Sequence, residues 1–80
     1  MIDYAKENIK LKDWYEQIMF YLRVRGLKKP SIEAYFWNSK NYDITDSLPA
    51  WMEEKRIKNV CYVDDRSNYN NIASIYLEIE

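Results

Sequence analysis

The sequence predicts a small α+β domain: a four-stranded, mainly antiparallel sheet with two helices on one face, in the order α-β-β-α-β-β. Three observations predict it. Residues 73–80 alternate Ala73, Ile75, Leu77 and Ile79 with Ser74, Tyr76, Glu78 and Glu80, the period-two pattern of a strand with one buried face. Leu11, Tyr15, Ile18 and Leu22 recur at steps of four, three and four, which is one face of a helix. Eighty residues, 48% hydrophobic and 31% charged, supply one core, so residues 1–80 are expected to form a single domain.

The first helix is expected over residues 12–25. Asp13 and Glu16 have the spacing of a capping box, and Gly26 supplies a C-terminal stop. Trp14, Met19 and Tyr21 widen the apolar face. Tyr4 falls on the same stripe, so residues 3–10 read either as an extension of this helix or as a separate lead-in.

Residues 31–38 are rich in Ile, Tyr, Phe and Trp, which favours a strand. Ile32, Ala34 and Phe36 then face inward, and Glu33, Tyr35 and Trp37 outward. Residues 38–41 form the hairpin loop, and 42–45 return as a short second strand. A helical reading of 31–38 would give three helices followed by a hairpin, the order of a winged helix-turn-helix domain. That is the alternative.

A second helix is expected over residues 47–57. Asp46 or Ser47 can cap it, and Pro49 falls in the first turn, where a missing N–H costs least. Leu48, Trp51 and Met52 form its inward face. Strands 59–64 and 73–80 follow, joined by the polar loop 65–71. The chain has one Gly, where an average usage of roughly 7% would give five or six. The turns therefore fall to Asn, Asp, Ser and Pro.

The chemistry is bounded by what is missing. There is no His, one Cys and one Gly. Zinc sites of Cys and His, His-assisted nucleophiles and Gly-rich phosphate loops are excluded. A calcium loop starting at Asp64 would put Tyr69 at the sharp-turn Gly and Ile75 at the bidentate Glu, so that reading fails. Asp64-Asp65 and Glu53-Glu54 are adjacent pairs whose side chains diverge. Neither an enzyme nor a metal or organic cofactor is expected. Cys61, inside Val60-Cys61-Tyr62-Val63, is expected to be a buried, inert thiol. A single Cys suits an intracellular, cytoplasmic setting. No apolar run approaches the roughly 18–20 residues of a membrane span, and the start does not resemble a secretory signal.

Charge and aromatic content point to a binding role. Residues 43–80 carry a net charge of −4, and the remainder +3. The cations Arg23, Arg25, Lys28 and Lys29 complement the carbonyl end of the first helix. The acidic side suits a partner with a basic surface. Tyr, Trp and Phe make up 16% of the chain. Trp14, Phe36 and Trp51 are expected in the core, and Tyr35, Trp37, Tyr69 and Tyr76 outside it. Exposed Tyr and Trp beside charges have the composition of a protein interface; they also suit stacking on single-stranded nucleic acid.

The expected function is a small, non-enzymatic, intracellular protein-binding domain. It would inhibit or modulate a larger protein, including one that handles nucleic acid. The partner-binding residues would be Asp43, Glu53, Glu54, Asp64 and Asp65 with Tyr35, Trp37, Tyr69 and Tyr76. Inhibitors carried by phages and mobile elements have this general format, an analogy of format alone. The winged-helix DNA-binding alternative needs cations on its recognition helix and wing. Residues 59–80 carry −3, which phosphates would repel.

Overall fold

Ile32, Ala34, Ile75 and Leu77 are completely buried, and the strands that carry them lie side by side at the centre of the molecule. The computed structural model describes residues 7–68 and 70–80. Helix α1 spans Leu11–Arg25. Strands β1 (Ser31–Tyr35), β2 (Asn41–Asp43), β3 (Ile57–Asp64) and β4 (Ile72–Ile79) form one sheet in the order β2-β1-β4-β3. Two of the pairings are antiparallel, β1 with β2 and β3 with β4. The central pairing of β1 with β4 is parallel, so the sheet is mixed rather than mainly antiparallel.

The helix lays Leu11, Trp14 and Leu22 inward. Leu11 and Trp14 join the strand residues Ile32, Ala34, Ile57, Ile75, Leu77 and Ile79, with Ile44 and Met52 at the margin. The Tyr15 hydroxyl donates to the Ile44 carbonyl at 2.9 Å, tying α1 to the end of the first hairpin. Gly26 ends the helix as expected, at φ +64°. Its N–H bonds the Arg23 carbonyl, and the Leu27 N–H bonds the Leu22 carbonyl at 2.9 Å, a Schellman closure that needs a left-handed residue.

The start of α1 differs from the capping-box expectation. The helix begins at Leu11, and its N-cap, Lys10, makes no side-chain capping bond. The first free N–H groups find backbone acceptors instead. Leu11 donates to the Lys55 carbonyl at 2.8 Å, and Lys12 to the Glu53 carbonyl at 3.0 Å. Tyr4 lies outside the described residues.

That arrangement also explains why no α-helix forms over residues 47–57. Ala50–Met52 make one 3₁₀ turn after Pro49, which sits in extended backbone at ψ 141°. The Glu53 carbonyl, which such a helix would offer to the Ile57 N–H, accepts from Lys12 instead, and the Ile57 N–H donates to the Ile9 carbonyl. Met52 is fully buried as expected, but Trp51 is 53% exposed. Residues 31–35 are strand and 47–56 hold only a 3₁₀ turn, so the described residues do not follow the winged-helix order.

Two bulges correct the strand readings. Between Ile57 and Asn59 the β3 register shifts by one residue, with Lys58 extra. This lets Ile57, at 0% exposure, turn inward with Val60. Between Val63 and Asp64 the extra residue is Ala73 on β4. Ala73 is therefore exposed, and Ile72 takes up the inward position at that end of the strand. A bulge resets the alternation that sequence reading assumes to be continuous.

With so little Gly, polar side chains close the turns. Asn38 adopts φ +62° in the β1–β2 loop. Asp43 accepts from the Thr45 N–H and hydroxyl at 2.9 and 2.6 Å. Asp65 does the same for Ser67, at 2.9 and 2.7 Å.

Candidate functional site

Helix α1 packs on one face of the sheet; among the described residues no element packs on the other. Strand alternation sends Glu33 and Tyr35 of β1 and Tyr76 and Glu78 of β4 to that open face, because Ile32, Ala34, Ile75 and Leu77 point to the core. The parallel register sets Glu33 opposite Tyr76 and Tyr35 opposite Glu78. The two central strands thus carry a two-by-two checkerboard of carboxylates and phenols, all four half-buried. Asp43 on β2 extends one row, opposite Glu33, and Cys61 on β3 extends it on the other side, opposite Tyr76.

The electrostatics of this face are one-sided. Asn41 donates its side-chain amide to Glu33 at 3.3 Å. Hydrogen bonds from the Thr45 hydroxyl and N–H hold the Asp43 carboxyl below its ordinary value. Among the described residues, Glu78 is the one acid of this face in an ion pair, with Lys58 at 3.5 Å. Among the described residues neither Glu33 nor Asp43 forms an ion pair, although they are directly opposite on neighbouring strands. Opposed like charges disfavour the pairing that holds them.

The other expected residues fall elsewhere. Trp37 is 80% exposed in the β1–β2 loop, two residues past Tyr35. Glu53 and Glu54 follow the 3₁₀ turn beside the start of α1. Glu54 pairs with Lys10 at 2.7 Å, and that contact lowers the Glu54 pKa and raises that of Lys10. Asp64 ends β3 at the opposite end of the sheet. Asp65 is held below its ordinary pKa by the Ser67 hydroxyl and N–H, so its carboxylate closes the loop. Tyr69 lies outside the described residues. The structure therefore brings together Asp43, Tyr35 and Tyr76 and leaves the other acids apart.

Sequence reading passed over Glu33 and Glu78 as binding residues. Their signal was present: each occupies the polar phase of a strand, beside Tyr35 and Tyr76. What the pattern did not contain was the parallel pairing that makes the four neighbours.

Cys61 is exposed, against the expectation of burial. β3 is an edge strand, and its alternation turns Val60 and Tyr62 toward α1 and Cys61 to the open face. Tyr62 accepts a long contact from the Trp14 indole N–H at 3.5 Å, and both line a shallow cleft of about 200 Å³ with Ile18 and Tyr21.

A second aromatic group lies at the β2 edge. Phe36 and Trp51 stack at 6.2 Å, and Tyr42 meets each edge-on. Lys55 stands over Phe36 and Lys40 over Tyr42, at 5.8 and 5.4 Å. Among the described residues no three Asp, Glu or Cys side chains converge as a metal site, and no helix is long and apolar enough to cross a membrane. Comparison with known proteins finds no matching family model, curated protein or solved structure.

Proposed function

We propose that this protein is a non-enzymatic binding domain that inhibits or modulates a larger protein by docking its open sheet face on a basic surface. The observation that supports this reading is the Glu33–Tyr76–Tyr35–Glu78 checkerboard. An Arg side chain entering it meets a phenol face for stacking and a carboxylate for paired hydrogen bonds. Asn41 and Lys58 already hold the Glu33 and Glu78 carboxylates, which lowers the side-chain entropy lost on docking. Asp43 adds long-range attraction at the rim, and Trp37 supplies an aromatic anchor beyond Tyr35.

The test is affinity capture from cell lysate with the native protein and a Glu33→Lys, Tyr76→Ala variant, followed by a salt titration of whatever is retained. A protein captured by the native chain, released by salt and absent with the variant supports the reading. Equal capture by the variant overturns it. The Phe36–Tyr42–Trp51 group favours a second reading, stacking of single-stranded nucleic acid between Lys40 and Lys55. Trp51→Ala would then abolish retention of an oligonucleotide.

A further inference from the structure

We propose that Lys58 is a built-in competitor for the partner's cation: it covers Glu78, so that an arginine of the partner is taken at Glu33 and Asp43 instead. This deepens the docking of the open face proposed above and rests on it.

The bulge in β3 puts the competitor in place. Ile57 pairs with Ile79 and Asn59 with Glu78, so Lys58 and Asn59 together oppose the single residue Glu78. A bulge of this kind re-aims a side chain, and the Lys58 ammonium stands 3.5 Å from the Glu78 carboxylate. The Glu78 side chain is 19% exposed and that of Lys58 45%. A cation arriving from solvent therefore meets the ammonium as well as the carboxylate, and the two positive charges repel. The contact that orders Glu78 also neutralises it.

Glu33 has the opposite surroundings. Its hydrogen-bond partner is neutral, the Asn41 amide at 3.3 Å, and among the described residues it forms no ion pair. The Ile44 N–H donates to the Ile32 carbonyl at 2.9 Å, which makes Ile32 and Ile44 a hydrogen-bonded pair. The next pair, Glu33 with Asp43, is then the closer, non-hydrogen-bonded kind, with Cα atoms roughly 4.5 Å apart. A guanidinium carries donors on more than one edge and can bond both carboxylates at once, whereas an ammonium is a point charge. Tyr76, opposite Glu33 on β4, offers a ring to the planar cation. A cation seated there also relieves the repulsion between the two opposed acids. Each row of the checkerboard sets a carboxylate beside a phenol, and Lys58 makes the two rows unequal.

The test is an NMR titration of the isotope-labelled protein with N-acetyl-arginine amide, with N-acetyl-lysine amide as the comparison. In the native protein the arginine shifts should centre on the amides of Glu33, Asp43 and Tyr76, and lysine should bind more weakly. Lys58→Met keeps most of the stem and removes the charge; arginine binding at Tyr35 and Glu78 should then strengthen by about threefold, the scale of an exposed ion pair. Lys58→Arg should restore the native pattern. Native shifts centred on Glu78, or a Lys58→Met pattern identical to the native one, overturn the proposal and leave the docking reading standing. Arginine that moves no open-face amide in either protein overturns both. The native pattern decides between Glu33 and Glu78 even if Lys58→Met fails to fold.

Discussion

Replacing Ile75 by Ala tests the packing of the core. Ile75 is completely buried, between Ile32 on one side and Tyr62 on the other. The change removes three carbons, about 2.4 kcal/mol at roughly 0.8 kcal/mol each. The cavity adds to this, because neighbours held in register on β1 and β3 cannot collapse into it. The total is about 3–4 kcal/mol, inside the usual range of about 2–5 for such truncations. A chain of this size has roughly 4–12 kcal/mol in all. With a urea dependence of about 1 kcal/mol per molar, the midpoint should fall by about 3 M. The control is Ala73→Lys. Uninterrupted alternation puts Ala73 in the core, where a lysine would unfold the domain; the bulge puts it in water, where the change costs about 0.5 kcal/mol or less. Urea unfolding followed by Trp fluorescence measures both. An Ala73→Lys midpoint as low as that of Ile75→Ala would refute the bulge and the inward set derived from it.

Other outcomes follow from the turns and the thiol. Gly26→Ala should cost about 1 kcal/mol from left-handed backbone strain alone, since nothing lies within 4 Å of an added Cβ; Gly26→Asn should cost less, and equal urea midpoints would contradict this. Hydrogen bonds from Thr45 and Ser67 hold the folded pKa values of Asp43 and Asp65 low. Their stabilisation is therefore present above the unfolded value of about 4 and disappears as pH falls through the folded values. An Asp43→Asn, Asp65→Asn variant should be less stable than the native chain at neutral pH and converge with it in acid; a difference independent of pH would count against the assignment. Cys61 in dilute native protein should react with a thiol reagent as fast as a free thiol, and protection relieved only by denaturant would contradict its exposure.

Local pattern carried much of this fold. The alternation of Ile32 and Ala34 with Glu33 and Tyr35, and of Ile75, Leu77 and Ile79 with Tyr76 and Glu78, marks two strands and their faces. The Leu11–Leu22 stripe with Gly26 marks the helix and its end. Non-local competition hid the rest. The Glu53 carbonyl serves α1 rather than a helix of its own, a choice made across about forty residues of chain. The bulges at Lys58 and Ala73 shift side chains between faces without any Gly or Pro to mark them. Exposed Cys61 has the same cause as partly buried Val60 in a helix-facing phase, namely the register of an edge strand. For the candidate site, Tyr35 and Tyr76 are legible as outward residues and Asp43 as one acid of the negatively charged half. Their union with Glu33 and Glu78 depends on β1 and β4 running parallel, which neither strand records alone.

The most direct test of the binding account compares three proteins in one capture experiment: the native chain, Glu33→Lys with Tyr76→Ala, and Asp64→Lys. All three changes lie on exposed or half-buried positions, so circular dichroism should show the same fold. The account predicts a protein partner, released by salt, that is retained by the native chain and by Asp64→Lys and lost with the checkerboard variant. A partner held equally by all three, or one lost only with Asp64→Lys, would contradict it.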